Sequence, residues 1–573
     1  MTRPSLDDLD RGFRHSYLDY AALTAQVKAW ADAFPEVVRL SSLGTTPEGR
    51  EQWLLAIGPA LDERRPAAWV DGNMHASELA GSSVALAIAE DVIRLHVTGT
   101  VHELAHPIVA RLKGVRFFVL PRMSPDGAEK VLTTAQYVRS VPRDERPDRG
   151  APRWRTGDID GDGLALVMRV KDPGGDYVEA PNLPGVLVQR EIEDEGPFYR
   201  IYPEGTIEHF DGHTIPAPHY LGDNPIDLNR NFPWSWTPHH EQIGAGPFPA
   251  SEPEARNVVA FTSAHPEIFA WLNLHTFGGV LIRPLGHGPD SKMDQDDLAI
   301  FRQLEAWMDT HVGYPTVSGY EEFLYQPDKP LHGDLTDYAY NQRGALAYVV
   351  ELWDLFARLG LPRPKKFVDY YNRLSRADVV KMAWWDREEN EGRVFRPWRA
   401  FHHPQLGEVE VGGLDPRIGI WNPPLNQLET VCRGQSEVYL RLAALAPAVT
   451  IGKVTRTPLG DDLTRVEVRV DNVGYLPTHV LSSAKKLDWN EPVHVDCAPD
   501  GCALVDAGQA HQVVGHLDGW GRGLFAGANE PSFMRSNGNA NSGRIVYLVR
   551  GKGALALRVG SCRVGWFTET ISV

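Results

Sequence analysis

Between about residues 17 and 400, short unbroken apolar runs alternate with longer stretches of helical period. The runs WLLAIG (53–58), AAWVDGN (67–73), VRFFVLPR (115–122), FAWLNLH (269–275) and LAYVVEL (346–352) lack the polar alternation of a half-solvated strand. They therefore predict strands covered on both faces. DYAALTAQVKAWADAF near the start and SSVALAIAEDVIRL (82–95) read as helices. The alternation predicts an α/β layer fold over residues 1–400, a twisted sheet with helices on both faces.

Two regions break this rhythm. Residues 140–225 are rich in Pro, Gly, Asp and Glu and show little periodicity, so they predict a long irregular insertion. A connecting extension (401–445) leads to a segment of different character. Val466, Val468 and Val470 alternate with polar residues, and RIVYLVRGKGALALRV reads as a hairpin over Gly-Lys-Gly. An all-β sandwich over 446–573 is the simplest account, packing on the first domain or mediating protein contacts.

A chain of 573 residues exceeds one ordinary core, which agrees with this division. The formal net charge of −17 argues against nucleic-acid or anionic-membrane partners, which are bound through clustered Lys and Arg. No run of about 18 apolar residues occurs, so no membrane span is expected. The opening MTRPSLDDLDRGF has no signal-peptide pattern, and a cytoplasmic location is the expectation. Four cysteines are too few for a disulfide framework, and CAPDGC leaves open whether Cys497 and Cys502 are bridged.

HELAH (102–106) fits the HExxH pattern of one class of zinc protease. That chemistry needs both histidines on one face of a continuing helix. Here Pro107 follows His106 directly, Gly99 precedes the motif, and an apolar strand begins a few residues later. Glu129, at a plausible distance for a third ligand, lies beyond that strand. The expectation is a surface turn in which His102, Glu103 and His106 are solvated. A better set stands where three predicted strands end: His75 and Glu78 in MHASE after AAWVDGN, His275 closing FAWLNLH, and Glu351 in LAYVVEL. Ligands of open α/β sheets gather beyond such carboxyl ends. Two His and a Glu form a recurring catalytic zinc set, and a further carboxylate beside it can move a proton. Each element alone is weak, since about one HxxE is expected by chance in a chain with 21 His.

Taken together, the motifs resemble the zinc carboxypeptidase family related to carboxypeptidase A. MHASE resembles that family's HxxE motif, and PRMSPDG its PxxNPDG turn with Ser124 in place of Asn. DLNRNFP and SEPE, NLHTFGG and DYAYNQRGALAYVVEL then follow in the family's order. The resemblance implies a mixed sheet and one Zn²⁺ held by His75, Glu78 and His275. It implies that a zinc-activated water hydrolyses the C-terminal bond of a peptide or protein, with Glu351 as base and then acid. Arg139 would polarise the scissile carbonyl, with Arg143 nearby as a competitor. Asn229 and Arg230 would grip the terminal carboxylate, Tyr325 (or Tyr320) would close over the substrate, and Thr336 would floor the specificity pocket. A zinc amidase or deacylase of the same fold is the alternative, and a catalytically silent binding module the rival from another class. In the insertion, Asp158, Asp160 and Asp162 have the spacing of a Ca²⁺ loop, but its twelfth position is Arg169 rather than Glu. A turn capped by its own Asp side chains is the preferred reading.

Overall fold

The computed structural model describes residues 4–143, 150–218, 226–326, 329–524, 536 and 538–573. Its central sheet has eight strands: β1 (Val38–Thr45), β2 (Glu51–Ile57), β3 (Ala67–Gly72), β4 (Arg116–Leu120), β5 (Ile268–Thr276), β6 (Val280–Arg283), β7 (Thr316–Ser318) and β8 (Leu346–Leu352). They lie in the order β1-β2-β4-β3-β5-β8-β6-β7. The central strands β4, β3, β5 and β8 run parallel, while β1, β2 and the β8–β6 pairing are antiparallel, so the sheet is mixed. Strands β3, β4 and β5 are buried at every position, as their unbroken apolar runs require.

Helix Ala80–Thr98 runs against this sheet and is covered on its other side by helix Leu425–Ala443. Its small residues let it sit close. Gly72 at the end of β3 packs backbone to backbone against Gly81, and a Cβ on Gly81 would come within 2.8 Å of Asn73 N. This close approach fixes the loop between strand and helix, which carries MHASE.

The segment expected to be irregular is instead built. Residues 153–208 carry six short strands, four of which join Phe395–His403 and Gly407–Leu414 in a six-stranded sheet. Arg169 pairs with Glu179 and Glu410 and so ties the two segments together. The expected boundary at residues 400/401 falls inside a strand, and the extension to 445 is part of the first unit rather than a connector. The strands are only three to six residues long, and the sheet is completed through Val167–Lys171, which pairs with Gly407–Leu414 far along the chain, so little local pattern is left to read.

Beyond residue 448, two four-stranded antiparallel sheets enclose a core that includes Val466, Val468, Val470, Val495, Tyr547 and Leu557. The sandwich is as expected, but the hairpin within it is not. Ser542–Arg550 and Ala554–Ser561 belong to opposite sheets. Both strands point alternate residues into the same core, so their pattern is the same whether they pair or face each other. Cys497 and Cys502 are free thiols. The sandwich docks on the sheet end remote from MHASE. There the buried Arg563 donates to the carbonyls of Pro266, Ile268, Arg343 and Gly344, at the starts of β5 and β8. No helix among the described residues is long and apolar enough to cross a membrane.

Candidate metal centre and substrate cleft

His75 and Glu78 lie in the loop that leaves β3, and His275 is the penultimate residue of β5. All three are buried, and their ligand atoms fall within 4.8 Å of one another. Glu78 Oε1 lies 2.8 Å from His75 Nδ1, Glu78 Oε2 lies 2.9 Å from His275 Nδ1, and the two Nδ1 atoms are 3.0 Å apart. The far nitrogens are occupied. His75 Nε2 donates to Asp227 Oδ1 at 3.2 Å and His275 Nε2 to Asn273 Oδ1 at 2.6 Å. A neutral imidazole that donates from Nε2 keeps a lone pair at Nδ1. Two such lone pairs therefore converge on a carboxylate, an arrangement that a cation relieves. The residues fit a divalent metal of the His-Glu-His kind, with outer partners that fix each ring.

Those outer partners continue inward. Asn273 Nδ2 donates to Asp71 Oδ1 at 2.5 Å, and Asp71 Oδ2 accepts from Trp69 Nε1 and Trp271 Nε1, each at 2.8 Å. Burial pushes the Asp71 carboxyl up to about 6, although these donors oppose it. Asp71 and Asn273 face each other in register on β3 and β5. A carboxylate can only accept, so it turns the Asn273 amide and presents Oδ1 to His275.

Glu351 stands in register with His275 on the adjacent parallel strand β8. Burial, and then the charge of Glu78, push its carboxyl well above the ordinary range, against the pull of Arg139. Arg139 Nε donates to Asp227 Oδ2 at 3.0 Å. Burial raises the Asp227 carboxyl, but Arg139, Arg230 and His75 together hold it well below its usual value. Arg143, the competitor, is held instead by Glu252 and Glu254 of SEPE, at 2.7 and 2.9 Å.

A cavity of about 230 Å³ joins these groups to the remaining expected residues. His75, Glu78, Arg139, Asn229, Arg230, His275, Tyr325, Thr336 and Glu351 all line it, whereas Tyr320 does not. Asn229 Oδ1 accepts from Leu335 N at 2.9 Å, which leaves its Nδ2 as the donor for a ligand. Arg230 follows it, braced by Nη1 on Asn229 O at 2.6 Å. Tyr325 lies at the mouth, half its surface exposed, 6.4 Å from the Tyr371 ring.

Several contributors were not expected. Asp227 lies within DLNRNFP, and its place between His75 and Arg139 appears only in the fold. Asp71 and Asn273 are polar residues inside apolar runs, a signal that could have marked them, and Asn273 shares a face with His275 by the two-residue strand period. Asn422, in the extension, donates to Ser77 O and accepts from Ala80 N, each at 2.8 Å, and so braces the MHASE loop. Its neighbour Trp421 packs at 5.4 Å on Tyr137, and both rings line the cavity.

HELAH is a turn. His102 adopts φ +47° and donates from Nε2 to the buried Asp91 at 2.8 Å, while Glu103 and His106 are exposed. A helix starts only at His106, with Pro107 in its first turn. Glu103 and His106 are thus solvated as expected, but His102 has a buried partner. In the insertion, Asp158, Asp160 and Asp162 accept from backbone amides of their own turn and lie close enough to share a cation.

The family described as zinc carboxypeptidase matches residues 23–159 and 221–373, just over half the chain, and leaves out most of the insertion. Carboxypeptidase A4 of Mus musculus is 23% identical over 347 residues, covering 59% of this chain and 63% of that protein. An inactive metallocarboxypeptidase, ECM14, of Ajellomyces dermatitidis is 30% identical over 129 residues, 22% of this chain and 21% of that protein. The chain thus spans less than two thirds of the length of these relatives. Among solved structures, carboxypeptidase A from Helicoverpa armigera shares 17% identity at a TM-score of 0.41, covering 76% of this chain and 75% of that one. Residues 448–572 match a domain described as of unknown function, DUF8731. With half its length matched by the family and the fold and His-Glu-His cluster in place, this chain belongs to the zinc carboxypeptidase family.

Proposed function

We propose that the chain is a zinc-dependent metallocarboxypeptidase that hydrolyses the C-terminal bond of peptides or proteins. One observation carries the reading: a single cavity brings a metal-fitting cluster and the carboxyl of Glu351 together with Asn229 and Arg230. His75, Glu78 and His275 would hold the zinc, which when bound supplies Lewis-acid polarisation and a water of lowered pKa. Glu351 takes a proton at its carboxylate and returns it to the leaving amine. Arg139, oriented through Nε by Asp227, stabilises negative charge growing on the scissile carbonyl oxygen. Arg230 and the Nδ2 of Asn229 hold the substrate's terminal carboxylate, a task suited to a planar guanidinium fork. Tyr325 closes the mouth, and Thr336 sits against the side chain of the last residue.

A panel of peptides with free and amidated C-termini tests the reading, each assayed with and without a zinc chelator. The expected result is release of the last residue from free peptides only, abolished by the chelator. Equal cleavage of amidated peptides would remove the role given to Asn229 and Arg230 and favour an amidase instead.

A further inference from the structure

On the MHASE side of the cavity, beside Ser77, the lining is aromatic. Tyr137 and Trp421 both line it, with ring centroids 5.4 Å apart and planes inclined at 55°. Each keeps part of its surface exposed. Trp421 comes from the extension, beyond residue 373 where the family's match ends. A strap, residues 415–422, puts it there by tying the chain just after Glu351 to the MHASE loop. Trp353, two residues past Glu351, donates from Nε1 to Gly419 O at 3.1 Å. Arg417 pairs with Asp415 at 2.8 Å and donates to Leu132 O at 2.8 Å. Asn422 Nδ2 donates to Arg417 O and to Ser77 O, each at 2.8 Å, and Trp421 N donates to Pro416 O at 2.9 Å. The Trp421 ring packs against Ala76, Val131 and Val138. It is thus held in place without a ligand, and binding against it costs little ordering.

The course of the substrate brings it to this wall. With its terminal carboxylate on Asn229 and Arg230 and its scissile carbonyl by Arg139, a peptide must run upstream past Arg139 and away from Arg230. Asn229 is anchored to the start of helix Leu335–Asn341 through Leu335 N. Tyr137 and Trp421 rest on different elements. Tyr137 precedes Arg139 by two residues, and the Arg139 carbonyl accepts from Ala76 N of MHASE at 2.9 Å. The first side chain upstream of the scissile bond therefore meets these two rings. Such rings offer broad apolar surface and favour offset or edge contacts with a further ring, centroids about 4.5–7 Å apart.

We propose that Tyr137 and Trp421 form a platform for the side chain of the penultimate substrate residue and select an aromatic one. The proposal rests on the carboxypeptidase reading above and deepens it. Trp421 is then a substrate-binding residue supplied by a segment outside the family's match.

The test compares kcat/KM for N-terminally blocked peptides that differ only in a penultimate Phe or Gly, the last residue being one that the protein releases. It uses the zinc-loaded full chain, Trp421→Ala, Trp421→Phe and Tyr137→Leu. The parent prefers the Phe peptide. Trp421→Ala lowers the Phe-to-Gly ratio by roughly 3- to 10-fold, the worth of one aromatic pair, Tyr137→Leu lowers it as well, and Trp421→Phe keeps most of it. A parent without the preference would overturn the assignment. So would a Trp421→Ala chain that loses both activities in proportion, as a purely structural strap would. Calorimetric binding of both peptides to zinc-loaded Glu351→Gln, which holds substrate without cleaving it, separates the two readings. Tighter binding of the Phe peptide, with neither peptide cleaved by the parent, counts against the carboxypeptidase and for the platform. Equal binding and equal cleavage of the two peptides counts against the platform alone.

Discussion

Two segments of this chain carry histidine and glutamate in close spacing, and only one of them meets the needs of a metal. HELAH, at 102–106, has the more familiar pattern. MHASE, at 74–78, has one histidine fewer, and the structure supplies it from β5, two hundred residues on. What separates them is backbone context. MHASE leaves the carboxyl end of a buried central strand, held by the close approach of Gly72 to Gly81 and braced by Asn422. HELAH is broken by Pro107, which opens the helix starting at His106, and its residues form no metal-capable cluster among the described residues. Each first histidine does find a carboxylate. Glu78 faces two imidazoles whose far nitrogens are already donated, whereas Asp91 is shared by His102, Arg14 and Ser436 in a closed structural network.

This contrast can be broken from either side. The largest effect is expected on the MHASE side, where His75→Ala or His275→Ala should abolish zinc binding and hydrolysis together, as read by metal analysis and peptide assay. Next comes Asp227→Asn, which weakens the outer support of His75 and Arg139. It should cost roughly 10- to 100-fold in zinc affinity or kcat/KM, the usual scale for such partners. On the HELAH side, His102→Ala should leave zinc and activity in place and cost about 1–3 kcal/mol of stability in urea denaturation, because a buried carboxylate loses a donor. The smallest effect belongs to His106→Ala, within about 0.5 kcal/mol of the parent, as for an exposed residue.

Acid denaturation sharpens the same contrast. Burial pushes the Asp91 carboxyl up, but His102, Arg14 and Ser436 outweigh it and hold it below its ordinary value. A carboxyl depressed in the folded state adds stability above its unfolded value of about 3.9, and that stability is lost as pH falls through the folded value. His102→Ala removes one of the groups that depress it. The midpoint of acid unfolding should therefore move to higher pH, with no change in zinc content at neutral pH.

How much of this was legible in the sequence depends on how local the cause was. The central strands could be read because burial on both faces leaves an unbroken apolar run. The candidate ligands His75, Glu78 and His275 could be read because they stand at or just past the ends of those runs. The insertion could not, since Arg169 finds Glu410 only after the chain has circled back. The paired sheets of the sandwich could not either, because inward alternation does not say which strand is neighbour and which is opposite.

The central claim is that the metal belongs to MHASE and β5 rather than to HELAH. Zinc per chain, measured by metal analysis on the purified protein, His275→Ala and the double variant His102→Ala/His106→Ala, tests it most directly. The account predicts about one zinc in the parent and in the double variant and none in His275→Ala, as expected for a single three-ligand catalytic site. Loss of zinc from the double variant, with retention in His275→Ala, would contradict it.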